Sequence, residues 1–493
     1  MIKKCLLVLG LLWHTFLFAQ ENISQLTVQQ MHRDLGILKA SFTTLHPGVY
    51  RYVTPPRLNS YFKDALARTN GPLSLSDFYI ELSRLTVKLH CGHTYVNPYN
   101  QNKKVNGLML SEKVLPLLFQ VIGRKFIVTQ NLSEQPQIKP GDEIKSIDGI
   151  PVATIIDSLL IVSRADGKHG LGKQLDNISI SPYLVSVQKY TLFDIYFPLF
   201  FTGRQRSDYY DIVIGLYKGG TFHLQVASLT RMQRQQHYQE RFPPEYRQPT
   251  GTFKWLTPNC GYFKIKEFTA TGWGNGYKKF LDSIFSSLRD QKASRLVVDI
   301  RGNEGGNDDV RNEVIRYLIK KPAYYAIRRY YRFLAVPDSL LPYLNTWDPS
   351  FKKPKSSLDY VKNTEQLYSK KNSYSVDTLI PKEKHFTGTI YLLTNTTNSS
   401  SSFFMADILQ QNKAAELVGE STGGTKQGIN SGQFFFLSLP ASGIEVDIPL
   451  VFQAPVNPRP DEGIKPDIKV KTRQRDLAEN VDVQLQYLVK HFK

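Results

Sequence analysis

The second half of the chain alternates strand-like and helix-like segments, and this alternation limits the possible folds more than any other feature. Apolar runs typical of buried strands lie at 295–300, 389–394 and 416–419, and helical patterns lie at 277–288 and 403–411. Strands that alternate with helices predict an α/β layer domain with a largely parallel sheet. Ligands of such sheets bind at the C-terminal ends of the strands, which directs attention to the loops there.

Three loops that follow these strands carry what a nucleophilic hydrolase requires. The loop at 299–306 is rich in glycine, and its exposed amides suit an oxyanion. Residues 399–402 are four serines at the start of a helix, where a hydroxyl lies beside free N–H groups. The loop at 419–428 again contains several glycines. A serine run alone is more often a helix cap, and a glycine loop alone often binds phosphate, but the three loops together favour a serine nucleophile.

The first half of the chain predicts a helical region and then shorter strands. Apolar residues recur at steps of three and four from Val28 to Leu45, which predicts a helix that His46-Pro47-Gly48 ends. An amphipathic stretch at 78–89 leads into His90-Cys91-Gly92-His93-Thr94, so His93 is expected on a turn or at the start of a strand.

Residues 138–152 have the pattern of a turn, a short strand, a second turn and a helix start, which resembles the second half of a PDZ domain. Such a module would bind an extended peptide by strand addition. Residues 162–250 show little periodicity, and we expect them to complete this module before a linker rich in Gln and Arg around 231–247.

Residues 1–19 predict a cleaved signal peptide, with Lys3 and Lys4 ahead of an apolar run that is too short for a membrane span. We therefore expect export to the periplasm or the extracellular space, with no integral membrane segment in the mature chain. After signal removal the cysteines are Cys91 and Cys260. Two cysteines are too few for a disulfide framework, but the sequence leaves open whether they form one disulfide bond with each other. The net charge of +19 fits a solvated basic surface, since nothing resembles a nucleic-acid module.

The strand-loop Asp299 to Gly306, Ser400 ahead of Gly419-Glu420, and the ending at 463–468 together resemble the C-terminal-processing, or tail-specific, serine peptidase family, which includes the tricorn core. The resemblance covers roughly 260–470. It implies a serine endopeptidase that forms an acyl-enzyme, acts on peptide or unfolded protein, and needs neither metal nor organic cofactor. The implied division is 1–19 signal peptide, 20–105 helical region carrying His93, 106–250 PDZ-like domain and linker, and 251–493 catalytic domain of the ClpP/crotonase-like type with a basic insertion at 322–384.

That family usually places its nucleophile twenty positions before the glutamate of Gly-Glu, which selects Ser400, with Ser401 as the alternative. The amides of Gly305 and Ser401 would then form the oxyanion hole. The family uses one of two bases. Lys426 lies near the position of the lysine base, whereas His93, with the carboxylate of Glu462 or the adjacent Asp461, matches the histidine mechanism. A histidine has a reference pKa near 6.5 and needs less tuning than a lysine, so His93 is favoured.

The sequence departs from the family at Glu304, where a glycine is usual, and at Cys91, where an acid often precedes the histidine. A catalytically inactive protein that binds a peptide or ligand on the same scaffold therefore remains an alternative, as does an esterase. A metal site at His90 and His93 lacks a third ligand, and Cys91 lacks a glycine-rich oxyanion loop. The sequence indicates neither the cleavage preference, nor the oligomeric state, nor whether the insertion acts as a lid.

Overall fold

The computed structural model describes residues 25–202, 208–371 and 375–492. The predicted signal peptide at 1–19 lies outside the described residues. Helices and strands are mixed throughout these ranges, which confirms the predicted α/β class. Within them, no helix combines the length and the apolar character that crossing a membrane requires.

The N-terminal region is mainly helical, as predicted, and its first helix has the predicted bounds. Its elements are β1 (Gln25–Leu26), α1 (Val28–Leu45), α2 (Pro55–Arg68), β2 (Leu73–Ser74), α3 (Leu75–Val87) and α4 (Lys103–Met109). Helix α1 begins at a capping box in which the Thr27 side chain accepts from the N–H of Gln30. It ends at His46, immediately before Pro47, because proline cannot continue a helix.

The middle region contains an antiparallel sheet in the strand order β4-β5-β6-β8-β9. Its elements are β3 (Lys113–Val114), β4 (Leu117–Ile122), β5 (Lys125–Asn131), β6 (Glu143–Ile147), β7 (Ile150–Pro151), α5 (Val152–Leu160), α6 (Leu171–Ile178), α7 (Leu192–Phe197), β8 (Tyr209–Gly215), β9 (Thr221–Ala227), β10 (Leu229–Thr230), α8 (Arg231–Arg241) and α9 (Pro243–Tyr246). The predicted linker around 231–247 is thus largely helical, because Thr230 and Gln233 form a capping box.

The C-terminal region contains the predicted parallel sheet, in the order β11-β12-β13-β19-β20-β23, with β11 antiparallel at one edge. Its elements are β11 (Gly251–Thr257), β12 (Cys260–Ile265), α10 (Tyr277–Asp290), β13 (Arg295–Asp299), α11 (Asp308–Leu318), β14 (Ala323–Tyr330), β15 (Leu344–Asn345), β16 (Tyr360–Lys362), β17 (Tyr368–Lys370), β18 (Ser375–Leu379), β19 (Thr389–Thr394), α12 (Ser400–Gln411), β20 (Glu416–Gly419), β21 (Ile429–Ser438), β22 (Glu445–Pro455), β23 (Ile468–Lys469), α13 (Gln474–Ala478) and α14 (Val483–His491).

A second sheet, which the sequence did not indicate, joins the insertion at 322–384 to the rest of the chain. Its strand order is β15-β21-β22-β14-β18, so three strands of the insertion flank the long antiparallel pair β21 and β22. Apolar residues of this pair share one buried cluster with the N-terminal helices and the middle sheet. The N-terminal region is therefore packed onto the C-terminal half.

Two contacts fix the N-terminal region against β21 and β22. The buried Asp34 of α1 accepts the N–H groups of Ala441 and Ser442, at 3.0 and 2.8 Å, in the turn between the two strands. An antiparallel bridge pairs Tyr95 with Asp447 of β22. This second contact lies two residues from His93 and sets the position of that histidine relative to the C-terminal half.

A buried ion pair anchors α8 to the middle region. Arg234, whose side chain is 2% exposed, donates two hydrogen bonds to Asp194 of α7, at 3.0 and 2.6 Å. Replacing Asp194 by alanine leaves the guanidinium buried without this carboxylate, and we expect a loss of about 3–5 kcal/mol in the free energy of unfolding. The midpoint of urea unfolding measures this loss.

The exposed pair of Arg124 and Asp157 provides the matched control for that measurement. Its side chains are 45% and 67% exposed, so the variant Asp157→Ala should change the free energy of unfolding by no more than about 1 kcal/mol. Equal losses of unfolding free energy in Asp194→Ala and Asp157→Ala would show that burial of the Arg234–Asp194 pair does not add to its contribution to stability.

Candidate active site

The backbone holds Ser400 in a conformation that non-glycine residues rarely adopt. Helix α12 begins at this residue, three positions before the predicted start at Phe403, and the φ angle of Ser400 is +51°. A left-handed conformation in a non-glycine residue costs on the order of 1–2 kcal/mol and is often found at functional sites. The sharp turn from β19 into α12 thus presents a partly exposed serine at a helix N-terminus.

The neighbouring serines have their hydroxyl groups engaged. The Oγ of Ser401 lies 2.8 Å from the Gly306 carbonyl oxygen and 2.5 Å from Asp308 Oδ1, and the residue is buried. Ser402 donates to Asn303 Oδ1 at 2.8 Å, and Ser399 donates to the Glu304 carbonyl at 3.1 Å. These contacts fit packing roles for the three residues and favour Ser400 over Ser401 as the nucleophile.

The glycine-rich loop after β13 packs directly against the Ser400 turn. A Cβ added to Gly305 would lie 2.8 Å from Ser400 Cβ and 3.0 Å from the Ser401 nitrogen, so only glycine fits this position. The N–H of Gly305 donates to Asn303 Oδ1 at 2.9 Å. Its predicted role as an oxyanion donor therefore does not fit this geometry.

Two other amides near Ser400 have no hydrogen-bond acceptor among the described residues, those of Gly306 and Ser401. Gly306 lines the same cavity as Ser400. The amides of Ser401 and Gly306 are therefore the candidate oxyanion donors, whereas the Gly305 amide is already engaged by Asn303.

Asn398, the residue before the serine run, holds the three loops together. Its buried side chain donates to the carbonyls of Ile300 and Asn303, at 2.5 and 3.0 Å, in the loop after β13. Its carbonyl accepts the N–H of Gly423, at 2.7 Å, in the loop after β20. One asparagine thus ties the serine loop to both glycine-rich loops.

His93 lies in a loop that is fixed from two sides. The carbonyl of Gly92 accepts from Arg164 Nε at 2.7 Å, and the Gly92 N–H donates to Asp166 Oδ1 at 2.8 Å. On the other side, the buried His46 contacts Thr94 through its Nε2 at 2.7 Å. The Gly48 N–H donates to His46 Nδ1, so His46 Nε2 carries the proton and donates to Thr94.

His46 itself stays neutral, because burial lowers its pKa to about 3. His46-Pro47-Gly48 ends helix α1, as the sequence predicts, and the contact with Thr94 gives His46 a second role. A neutral, fixed imidazole supports the loop without bringing a second charge near His93.

His93 has the electrostatic surroundings of a neutral base. Burial lowers its pKa below the ordinary value, and the nearby Asp166 opposes this shift. Its Nδ1 atom is buried and has no hydrogen-bond partner among the described residues. His93 shares a pocket lining with the carboxylates of Asp166 and Glu304.

Glu304, the departure from the family pattern, pairs with Lys173 at 2.6 Å. The Lys173 ammonium lowers the pKa of Glu304 to about 2, so this carboxylate is charged at neutral pH. Glu304 thus adds a permanent negative charge near His93. Its backbone carbonyl accepts from the Ser399 hydroxyl, so Glu304 contacts the serine turn without obstructing Ser400.

The structure does not bring Glu462 or Lys426 into the cavity that Ser400 lines. The two residues contact each other instead: Lys426 Nζ lies 3.1 Å from Glu462 Oε1, and Lys465 Nζ lies 2.5 Å from Glu462 Oε2. Asp461, the alternative carboxylate, accepts from Tyr52 and Thr425. Glu462, the predicted partner of His93, and Lys426, the alternative base, thus form an ion pair with each other outside the cavity.

Neither of the minor alternatives gains support from the structure. Cys91 and Cys260 are both buried free thiols, so the bridge that the sequence left open does not form. Burial raises the pKa of the Cys91 thiol to about 11, which disfavours the reactive thiolate. No group of three or more His, Cys, Asp or Glu side chains suited to a metal occurs in the described parts of the chain.

Ser400 and His93 line one cavity of about 1280 Å³. No hydrogen bond joins the two side chains within the described structure. The cavity extends from Gly306 to Phe119 and Gln120 of β4, so it runs from the catalytic sheet to the middle sheet. This volume exceeds the ~300–1,000 Å³ of pockets for small ligands and suits a stretch of polypeptide.

Comparison with known proteins places one part of the chain in a known family. Residues 259–470 match the model of Peptidase family S41. This range contains the glycine-rich loop, the serine turn and the loop after β20. It agrees with the resemblance to C-terminal-processing peptidases.

Two solved structures share the fold over nearly the whole chain. The structure of mature CPAF in complex with lactacystin is 13% identical and has a TM-score of 0.62, and the alignment covers 94% of this chain and 97% of that one. The structure of mature CPAF alone is 14% identical, with a TM-score of 0.60 and coverage of 94% and 96%. At this identity the likeness shows the fold alone. No curated protein matches the chain.

Proposed function

We propose that this chain, whose residues 259–470 match Peptidase family S41, is an exported serine endopeptidase that forms an acyl-enzyme on Ser400, with His93 as the general base. The observation that carries the proposal is the cavity at which Ser400, His93 and the Gly306 loop meet. Export rests on the pattern at 1–19, which has the charged start and apolar run of a signal peptide.

The proposed reaction begins when the Ser400 Oγ attacks the carbonyl carbon of a peptide bond. His93, which burial keeps neutral, accepts the hydroxyl proton as the Oγ–C bond forms. The amides of Gly306 and Ser401 donate to the oxyanion. His93 then protonates the leaving amine as the C–N bond breaks, and water hydrolyses the acyl-enzyme by the reverse sequence.

The positive charge that His93 gains during the reaction has a counter-charge nearby. The Asp166 carboxylate has the largest charge effect on His93 and favours its protonated form. Two cations and one further carboxylate have smaller, opposing effects: Arg164, Lys173 and Glu304. In this proposal Asp166 takes the place of the carboxylate that the family resemblance implied at Glu462. The Ser400–His93 hydrogen bond must form as substrate binds, which is common for catalytic groups that are loosely placed in the free enzyme.

The rate of labelling by a fluorophosphonate probe, measured from pH 4 to 9, tests both the nucleophile and the base. A histidine with a lowered pKa must lose its proton to act as a base, so the rate should rise with pH along a limb whose midpoint lies below the ordinary 6.5. The rate at which an internally quenched peptide is cleaved should rise with pH over the same range.

Two outcomes would contradict this account. Absence of labelling in protein that keeps a sharp thermal unfolding transition would favour the alternative of a binding protein without catalytic activity. A limb with its midpoint well above pH 7 would exclude His93 as the base. Turnover of esters without turnover of any peptide would leave the serine chemistry intact but replace the peptidase by an esterase.

A further inference from the structure

A second cavity, of about 240 Å³, adjoins the first at His93. Its lining shares His93, Tyr95, Arg164, Lys173 and Glu304 with the larger cavity. The smaller cavity is below the size of ordinary small-ligand pockets and closer to that of one amino-acid side chain. It is thus placed to receive a substrate side chain next to the scissile bond.

Aromatic rings form one wall of this pocket. Phe434 and Phe436 of β21 are parallel, with their ring centroids 6.4 Å apart. Trp347, from the insertion at 322–384, meets both rings edge-on, at 5.6 and 4.9 Å, yet is 71% exposed. An exposed tryptophan over two phenylalanines presents an aromatic surface that can pack on the stem of a side chain or on a cation.

Asp447 of β22 lies beside this aromatic wall, because it is the cross-strand partner of Phe436; it is 5% exposed and lines the pocket. Its two carboxylate oxygens accept from the side-chain amides of Asn97 and Asn100, at 2.8 and 2.9 Å. Both donors are neutral, and no Lys, Arg or His in the described residues forms an ion pair with Asp447. Burial raises the pKa of Asp447 to about 6, the sign of a charge that lacks full compensation.

The cations on the pocket lining are fewer than the carboxylates. Lys173 pairs with Glu304, and the charge of Arg164 acts on both Glu304 and Asp447. Arg164 stacks on the Tyr95 ring at 3.5 Å and donates to the Gly92 carbonyl, so its guanidinium is already engaged. Two cations, Arg164 and Lys173, against three carboxylates, Asp166, Glu304 and Asp447, leave the lining with one net negative charge.

We propose that this pocket is a specificity subsite for a lysine or arginine side chain of the substrate, next to the scissile bond. The aliphatic stem packs on the aromatic surface of Trp347 and Phe434, and the cationic group reaches the Asp447 carboxylate. A charge-assisted hydrogen bond then compensates the buried carboxylate. An acidic substrate side chain is disfavoured by the same charge. The proposal rests on the proposed peptidase function and names its preferred substrate.

A panel of quenched peptides that differ only in the residue on either side of the scissile bond tests the subsite. The wild-type protein should cleave the best lysine or arginine peptide with at least tenfold higher kcat/KM than the matching leucine peptide, and the glutamate peptide should be the poorest. In the variant Asp447→Asn, the lysine-to-leucine ratio should fall at least tenfold. Glu445→Gln, which removes a charge two residues away on β22 but outside the pocket, should leave the ratio unchanged.

Trp347→Leu provides a second test that does not disturb the buried carboxylate. Because Trp347 is exposed, this variant should fold, and loss of the cation–π contact should lower the lysine-to-leucine ratio about threefold. If the Asp447→Asn variant does not fold, the Trp347→Leu variant decides the test. Equal turnover of the lysine and leucine peptides by an enzyme that labels and cleaves would overturn the subsite while leaving the peptidase function intact. Absence of both labelling and cleavage would overturn the two together.

Discussion

Replacing Ser400 by alanine is expected to lower kcat/KM for peptide hydrolysis by about 10⁴- to 10⁶-fold, the loss that removal of a serine nucleophile produces. The variant loses the hydroxyl that the strained turn before α12 presents to the cavity. Steady-state cleavage of a quenched peptide measures the effect. Because the left-handed conformation is as unfavourable for alanine as for serine, we expect the variant to fold as the wild type does.

Ser401→Ala is the matched control, one residue away in the same helix. The Ser401 hydroxyl holds the Gly306 carbonyl and Asp308, so its loss should lower the free energy of unfolding by about 1–3 kcal/mol. Its amide remains, so we expect the enzyme to keep its nucleophile and most of its turnover. Loss of turnover in Ser401→Ala with retention in Ser400→Ala would move the nucleophile by one position.

His93→Ala and Lys426→Ala should separate the two candidate bases. Removing a general base costs about 10²- to 10⁴-fold, and we expect that loss in kcat/KM for His93→Ala. Lys426 lies outside the cavity and pairs with Glu462, so its alanine variant should lose less than about threefold, as is usual for a partly exposed ion pair. Turnover of one quenched peptide at pH 7.5 provides the comparison.

His90→Ala controls for disturbance of the loop, because His90 lies three residues from His93 and meets the Tyr52 ring edge-on outside the cavity. We expect it to keep turnover within a small factor of the wild type. Loss of activity only in Lys426→Ala would contradict the histidine mechanism. Equal losses in His90→Ala and His93→Ala would assign the effect to the loop and not to a base.

The parallel sheet and its loops were predictable from the sequence because the periodicity there is strong. The runs at 295–300 and 389–394 are short, apolar and bounded by polar loops, and each is a central strand. The serine turn followed from its place after β19. The spacing to Glu420 then selected Ser400, and the strain at that residue agrees with the selection.

The partners of His93 could not be predicted, because they come from segments far apart in the sequence. Glu462 matched a family position, yet in the folded chain it lies beside Lys426 and Lys465, and their opposite charges hold it there. Asp166 and Glu304 reach the pocket from two different regions. The bridge between Tyr95 and Asp447, the contact of the Gly92 N–H with Asp166 and the ion pair of Lys173 with Glu304 bring these groups together.

Other features were missed because their local patterns are weak or ambiguous. Asn398 is a single polar residue in a loop, and only its hydrogen bonds to Ile300 and Asn303 show its role. The segment at 231–247 lacks apolar periodicity, since Arg234 fills a buried position through its ion pair with Asp194. Hydrophobicity patterns assign an arginine to the solvent-exposed surface, so they do not predict a buried one.

The residue that carries the covalent adduct tests the central claim most directly. After labelling with a fluorophosphonate, digestion and tandem mass spectrometry locate the modified residue within the peptide that contains 399–402. We expect a single phosphonyl group on Ser400, at one per chain. An adduct on Ser401 or on a residue outside this serine cluster would contradict the proposed nucleophile, and with it the geometry assigned to the oxyanion and the base.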